Sequence, residues 1–229
     1  MRKLLVILTT IALAGMAWAS EKTDAIDRLQ NATKVLNEIM ATPDKGIPVE
    51  VFENAKCVAV VPHMIKGGFI FGAKHGLGVA TCRTAHGWSA PSFFAVTGGS
   101  WGAQIGVEGV DLVMMVMNDK GMQQLLNSKF QIGADVSGAA GPVGRHASAG
   151  TDWKLNTEIL TYSRAKGAFA GATLEGARVT QDENAIEAVY GKPLTPRTIL
   201  TGEVAPPPSA EQFLATIRKD AGGVAEAKK

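Results

Sequence analysis

Between Thr23 and Met40, apolar side chains return at Ile26, Leu29, Leu36, Ile39 and Met40, with Lys34, Asn37 and Glu38 between them. That spacing predicts an amphipathic helix over 23–40, and Pro43 supplies a stop just beyond it. The charges on its polar face are mixed in sign, so it is expected to pack on a core rather than lie on a membrane. Pro48 opens a second, short helix through about Ala55. From Lys56 onward the pattern changes to alternation and short apolar runs. These predict strands at 57–61, 68–73, 77–83, 92–97, 101–107 and 110–117. The turn signals between them are Lys66-Gly67-Gly68, His75-Gly76, His86-Gly87 and Glu108-Gly109. Val110 to Met117 is apolar except for Asp111, which suits a strand covered on both faces. Asn118-Asp119 caps a helix through about Asn127. Residues 130–150, rich in Gly, Ala and Ser, predict a loop or a pair of short strands. Strands follow at about 155–163, 168–171 and 173–180. A helix then starts at Asp182 or Asn184 and ends at Tyr190, closed by Gly191 and Pro193. Pro206-Pro207-Pro208 is a stiff spacer before a last helix at 210–219, and the tail 221–229 is expected to fray.

Glycine punctuates the strand region in three places: 67–72, 98–106 and 167–176. Glycine weakens a strand, so it marks bends, bulges or close approaches. Three such segments predict one strongly curved sheet. The expected fold is a single α+β domain with a curved, mainly antiparallel, barrel-like sheet and helices packed around it.

The first residues change how the rest is read. Arg2 and Lys3 precede an apolar run from Leu4 to Ala14, and Ala17-Trp18-Ala19 has the small-residue pattern of a signal-peptide cleavage site. The run is too short to span a bilayer. Residues 1–19 are therefore expected to be a signal peptide cleaved after Ala19. The domain would occupy 20–220, exported and periplasmic. Losing residues 1–19 removes two of the 23 basic side chains and no acid, so bases and acids balance at 21 each. That balance gives no support for nucleic-acid binding or a generally basic membrane surface. Any anion site must be a local cluster. Export would permit a disulfide between the two cysteines, Cys57 and Cys82, both in strand-like runs. Two buried thiols are the other reading, and the sequence leaves both open.

Chemical motifs are few. Gly98-Gly99-Ser100-Trp101-Gly102 matches the nucleophile-elbow pattern, and Ser100, then Asp111 or Asp135, then His146 follows a hydrolase order. The elbow needs a helix after the serine, whereas a strand is predicted here. A serine hydrolase is thus a remote alternative, and no catalytic residue is expected. The histidines His63, His75, His86 and His146 lack metal-ligand spacing. No phosphate-binding loop or dinucleotide fingerprint occurs, so no metal and no cofactor is expected. Trp88-Ser89-Ala90-Pro91-Ser92-Phe93-Phe94 reads as a turn whose aromatics enter the core. Tyr162-Ser163-Arg164-Ala165-Lys166-Gly167 sets two cations and two hydroxyls in a turn. With Lys66 beside Gly67 and Gly68, and Arg145 in the Gly-Pro loop, it supplies the residue types that hold phosphate. Solvated turn charges are the plainer alternative.

Read in order, these segments resemble the SYLF domain family, a lipid-binding domain also found in actin-patch proteins of yeast. The landmarks are Trp88-Ser89-Ala90-Pro91, Gly102-Ala103-Gln104-Ile105-Gly106, Asp111, Asn118, Gly141-Pro142-Val143-Gly144-Arg145, Tyr162 to Gly167, Gly171 to Gly176, Asn184 and Tyr190-Gly191. They cover about residues 25–218. The resemblance implies non-catalytic binding of phosphoinositides or other anionic phospholipid headgroups at a membrane or cell envelope. Candidate headgroup contacts are Lys66, Gly67, Gly68, Arg145, Arg164, Lys166 and Gly167. An envelope structural or scaffold role with a protein partner and no small ligand is the alternative.

Overall fold

The computed structural model describes residues 2–41, 46–68, 71–101, 106–143, 157–165, 168–171 and 174–222. Its centre is a strongly curled half-barrel sheet. The strands are β1 (Cys57–Gly68), β2 (Phe71–Thr84), β3 (Gly87–Trp88), β4 (Ser92–Trp101), β5 (Gly106–Val116), β6 (Lys129–Gln131), β7 (Gly138–Ala140), β8 (Ile159–Ala165), β9 (Ala168–Gly171) and β10 (Arg178–Gln181). Their order is β6-β10-β4-β2-β1-β5-β8-β7, with β3 on β2 and β9 on β8. Every strand pairing is antiparallel except β7 with β8. The helices are α1 (Arg2–Met40), α2 (Val49–Asn54), α3 (Asp119–Leu125), α4 (Glu183–Tyr190), α5 (Pro196–Leu200) and α6 (Glu211–Asp220).

Strand alternation builds two cores, one on each face of the sheet. Val58, Val60, Val79, Phe93, Val113, Met115, Leu160 and Tyr162 pack with residues of α1, α2, α4 and α6. Their strand neighbours Cys57, Ala59, Val61, Ala80, Phe94, Val96, Leu112, Met114 and Val116 pack on the other face, with Leu125, Phe130, Val179 and Leu200. The central strands are thus buried on both sides, as the unbroken run in β5 requires. Helix α1 buries Ala25, Leu29, Ala32, Leu36 and Ile39 on one stripe. Its Arg28 is buried too. The guanidinium lies 5.5 Å from the centroid of the Phe93 ring and 2.8 Å from Asp182. Asp182 also accepts from the Ala185 N–H and so caps α4. One carboxylate therefore starts α4 and ties α1 to it.

Three sequence expectations about strands need correction. Of the strands predicted at 68–73 and 77–83, Gly68 ends β1 while 71–73 run on with 77–83 as β2; of those at 101–107 and 110–117, Trp101 ends β4 while 106–116 form β5 across Glu108-Gly109. The predicted strand at 173–180 is a turn at 174–177 followed by β10. Glycines in β2 serve close approach rather than reversal. A Cβ at Gly76 would come 2.5 Å from Val61 Cγ1, and one at Gly78 would come 2.5 Å from the Phe94 ring. β1 also continues past Pro62, where the sequence predicts an end. A bulge shifts the register between Val61 and Met64, and His63 takes a left-handed φ of 56°. Asp111 Oδ1 accepts the His63 N–H at 3.0 Å and pins the bulge. Helix α5 is absent from the sequence expectations, although Thr195 caps it and Pro196 occupies its first turn.

Candidate functional site

The glycine-rich segments meet at one end of the sheet. Gly68 pairs with both Gly72 and Gly106, Ala73 with Gly99, and Lys74 with Gly98. β8 runs toward the same end, because Arg164 is the cross-strand partner of Asp111. Here the face that carries α1 is open to solvent: Ile65, Ala73, His75, Leu77, Thr97 and Gly109 are all exposed. Beside them, a cleft of about 480 Å³ separates α1 from the bulge, lined by Asp27, Asn31, Lys34, Glu38, His63 and Arg164 among others.

Arg164 does not point a free charge into that cleft. Its Nη2 lies 2.6 Å and its Nε 3.1 Å from Asp111 Oδ2, and Nη1 is ion-paired with Glu38 of α1. Partial burial lowers its pKa, but the bonds to the two carboxylates outweigh that and raise it overall. Arg164 thus fastens the end of α1 to the β5–β8 pair. With Asp24, Asp27, Glu38 and Asp111 lining the cleft against Arg28, Lys34 and Arg164, the charges there are close to balanced.

Lys66 lies on the other face. It pairs with Glu108 of β5, whereas Arg164 pairs with Asp111 three residues further on, so alternation sends the two cations to opposite sides. The sheet therefore does not bring Lys66 and Arg164 into one phosphate site. Gly67 and Gly68 end β1 beside Lys66, as expected of a close-approach segment. Arg145, Lys166 and Gly167 lie outside the described residues.

The cation that the sequence reading missed is Lys74. It is the direct cross-strand partner of Lys66 and is only 8% exposed. Burial and then the neighbouring Lys66 charge lower its pKa. The β1–β2 register decides this, setting Lys66 opposite Lys74. A turn placed at 66–68 hides that relation.

The remaining motifs resolve into structure. Ser100 lies within β4, opposite Gly72, and the next described element is the strand β5. The strand-to-helix elbow is therefore not formed at the described residues. Asp111 is occupied by Arg164 and the His63 N–H, and His146 lies outside the described residues. Trp88 stacks under the Arg83 guanidinium at 4.6 Å, Phe93 is fully buried, and the Pro91 carbonyl accepts from the Tyr190 hydroxyl. Gly141 lies flat on Tyr162, whose ring would sit 2.1 Å from a Cβ there. Cys57 and Cys82 are cross-strand partners in β1 and β2, joined by an S–S bond of 2.05 Å. Among the described residues, no three His, Cys, Asp or Glu side chains are grouped to hold a metal.

Much of this sequence is shared with known proteins. The family model Ysc84, described as Las17-binding protein actin regulator, matches residues 97–220. Protein YSC84 of Saccharomyces cerevisiae is 34% identical over 175 residues, which are 75% of this chain and 37% of that protein. LAS seventeen-binding protein 3 of the same yeast is 31% identical over 206 residues, covering 84% and 45%. The human SH3 domain-containing YSC84-like protein 1 is 31% identical over 191 residues, covering 80% and 56%. The matches thus span about half or less of these relatives' lengths. With the family match running from β4 to the end of α6, the chain belongs to the Ysc84, or SYLF, family.

Proposed function

We propose that this domain binds anionic phospholipid headgroups, without catalysis, through the glycine-rich end of its sheet. The observation that carries the reading is the composition of that end. Two large apolar side chains, Ile65 and Leu77, stand in solvent on one face. On the other face are two lysines with no carboxylate in ion-pair reach among the described residues. Exposed apolar groups and uncompensated cations at one end of the sheet suit a surface of acyl chains and negative headgroups.

Co-sedimentation with vesicles tests this. The expected result is more protein on phosphatidylcholine–phosphatidylserine vesicles than on phosphatidylcholine alone, with the difference shrinking as salt rises. Equal, salt-insensitive recovery would remove the headgroup reading. The cations to substitute are the lysines, since removing Arg164 would strip Asp111 and Glu38 of their shared partner.

The names of the relatives favour a second reading, a protein-binding scaffold. A scaffold would keep its vesicle behaviour unchanged when the lysines are neutralised. Residues 1–19 we read as an export signal, with the mature domain in the periplasm. The closed Cys57–Cys82 bond supports this, because structural disulfides persist in oxidising compartments. N-terminal sequencing of the protein from a periplasmic fraction tests it: the expected first residue is Ser20, and an intact Met1 would refute it.

A further inference from the structure

The register places Lys66 and Lys74 side by side on the face of the sheet turned away from α1. Lys74 is only 8% exposed, its ammonium keeps contact with solvent, and among the described residues no carboxylate lies in ion-pair reach of it. Its stem runs along Gly98, its cross-strand partner on β4. A Cβ at Gly98 would come 2.8 Å from Lys74 Cε and 3.2 Å from Ala177 Cα. The missing side chain therefore leaves a slot in which the lysine is held between two strands and the turn before β10. Glu108 is opposite Lys66 across β5 and does not form an ion pair with it. Like charges held directly opposite each other in a sheet are destabilising, and a mostly buried lysine with no counter-charge adds to that. An arrangement of this kind becomes favourable when an anion sits between the two ammoniums.

We propose that Lys66 and Lys74 form a binding site for a dianionic phosphomonoester. This group is shared by monoester phospholipid headgroups and free phosphate. The assignment rests on the headgroup reading above and narrows it. Two ammoniums supply six N–H donors and two positive charges. A phosphomonoester near neutral pH carries between about 1.5 and 2 negative charges on three terminal oxygens. A diester carries one charge on two such oxygens, leaving one lysine without a counter-charge. Discrimination between the two is therefore built into the register.

The test uses the full chain with phosphatidylcholine vesicles carrying either phosphatidic acid, a monoester, or phosphatidylglycerol, a diester, at matched surface charge. The variants are Lys66→Gln and Lys74→Met, the latter keeping an apolar stem in the slot. Wild type is expected to prefer phosphatidic acid by about tenfold, the size of one charge-assisted contact. Lys74→Met should abolish the preference while retaining residual charge-dependent binding. If wild type binds acidic vesicles without preference, or Lys74→Met keeps it, the assignment fails and the headgroup reading stands. If wild type binds neither acidic vesicle, the headgroup reading fails. Inorganic phosphate then decides, followed by NMR of the lysine ε-carbons. A saturable shift at Lys74, lost in Lys66→Gln, retains the site for free phosphate, and no shift overturns it.

Discussion

Replacing Arg164 by Met distinguishes a structural clasp from a ligand contact. The guanidinium is 24% exposed and makes two bonds to Asp111, itself 15% exposed, at 2.6 and 3.1 Å. Its other partner, Glu38, is 54% exposed. Breaking a buried pair by removing one partner costs about 3–5 kcal/mol. Two features reduce that figure here. The site is partly wetted, and Asp111 keeps the His63 N–H as a donor. A loss of ~2 kcal/mol is expected. The Glu38 arm is screened, so Glu38→Gln should cost at most ~0.5 kcal/mol. Urea unfolding of the oxidised protein, monitored by circular dichroism and fluorescence together, measures both values and checks for a single transition. Phosphatidic acid preference, measured in parallel at a temperature where both proteins are folded, should be unchanged. An Arg164→Met protein as stable as wild type but unable to bind acidic vesicles would refute the clasp and return Arg164 to the ligand site.

Two further outcomes follow from the packing. Burial raises the Asp220 carboxyl to about 6, with the Lys219 charge only partly opposing it. A folded-state pKa above the ordinary value means that the protonated acid favours the fold, so this contribution is full below about pH 4 and is lost as pH rises through 6. Asp220→Asn should therefore stabilise the protein above pH 7 by ~1 kcal/mol, discounted for partial exposure, and flatten the pH dependence of the urea midpoint between pH 4 and 7; an unchanged slope would refute it. The glycines divide by environment: Gly78→Ala drives a methyl into the Phe94 ring and the Val60 carbonyl and should cost ~2 kcal/mol. Gly99→Ala meets nothing nearer than the Gly72 carbonyl at 4.0 Å and should be neutral or stabilise by ~0.5 kcal/mol; equal effects in thermal melts would sink that distinction.

The helices were largely legible because their signals are local. The stripe on α1, the Asn118 and Asp182 caps and the proline spacer before α6 each act within a few residues of themselves. The unbroken apolar run of β5 was equally readable, and it determined that this strand is covered on both faces. The family resemblance was readable for the same reason, since its landmarks are short and in fixed order. Pairing was not. Whether Gly76 turns the chain or makes room for Val61 depends on a strand fifteen residues away. Whether Arg164 is free depends on Asp111 and Glu38, which are remote in the chain and meet it only when α1 and β5 are in place. The sequence by itself determined which residue types could hold an anion. The tertiary structure decided that Lys66 stands beside Lys74 and not beside Arg164, because the face on which a strand residue emerges depends on register, and register is set across the sheet.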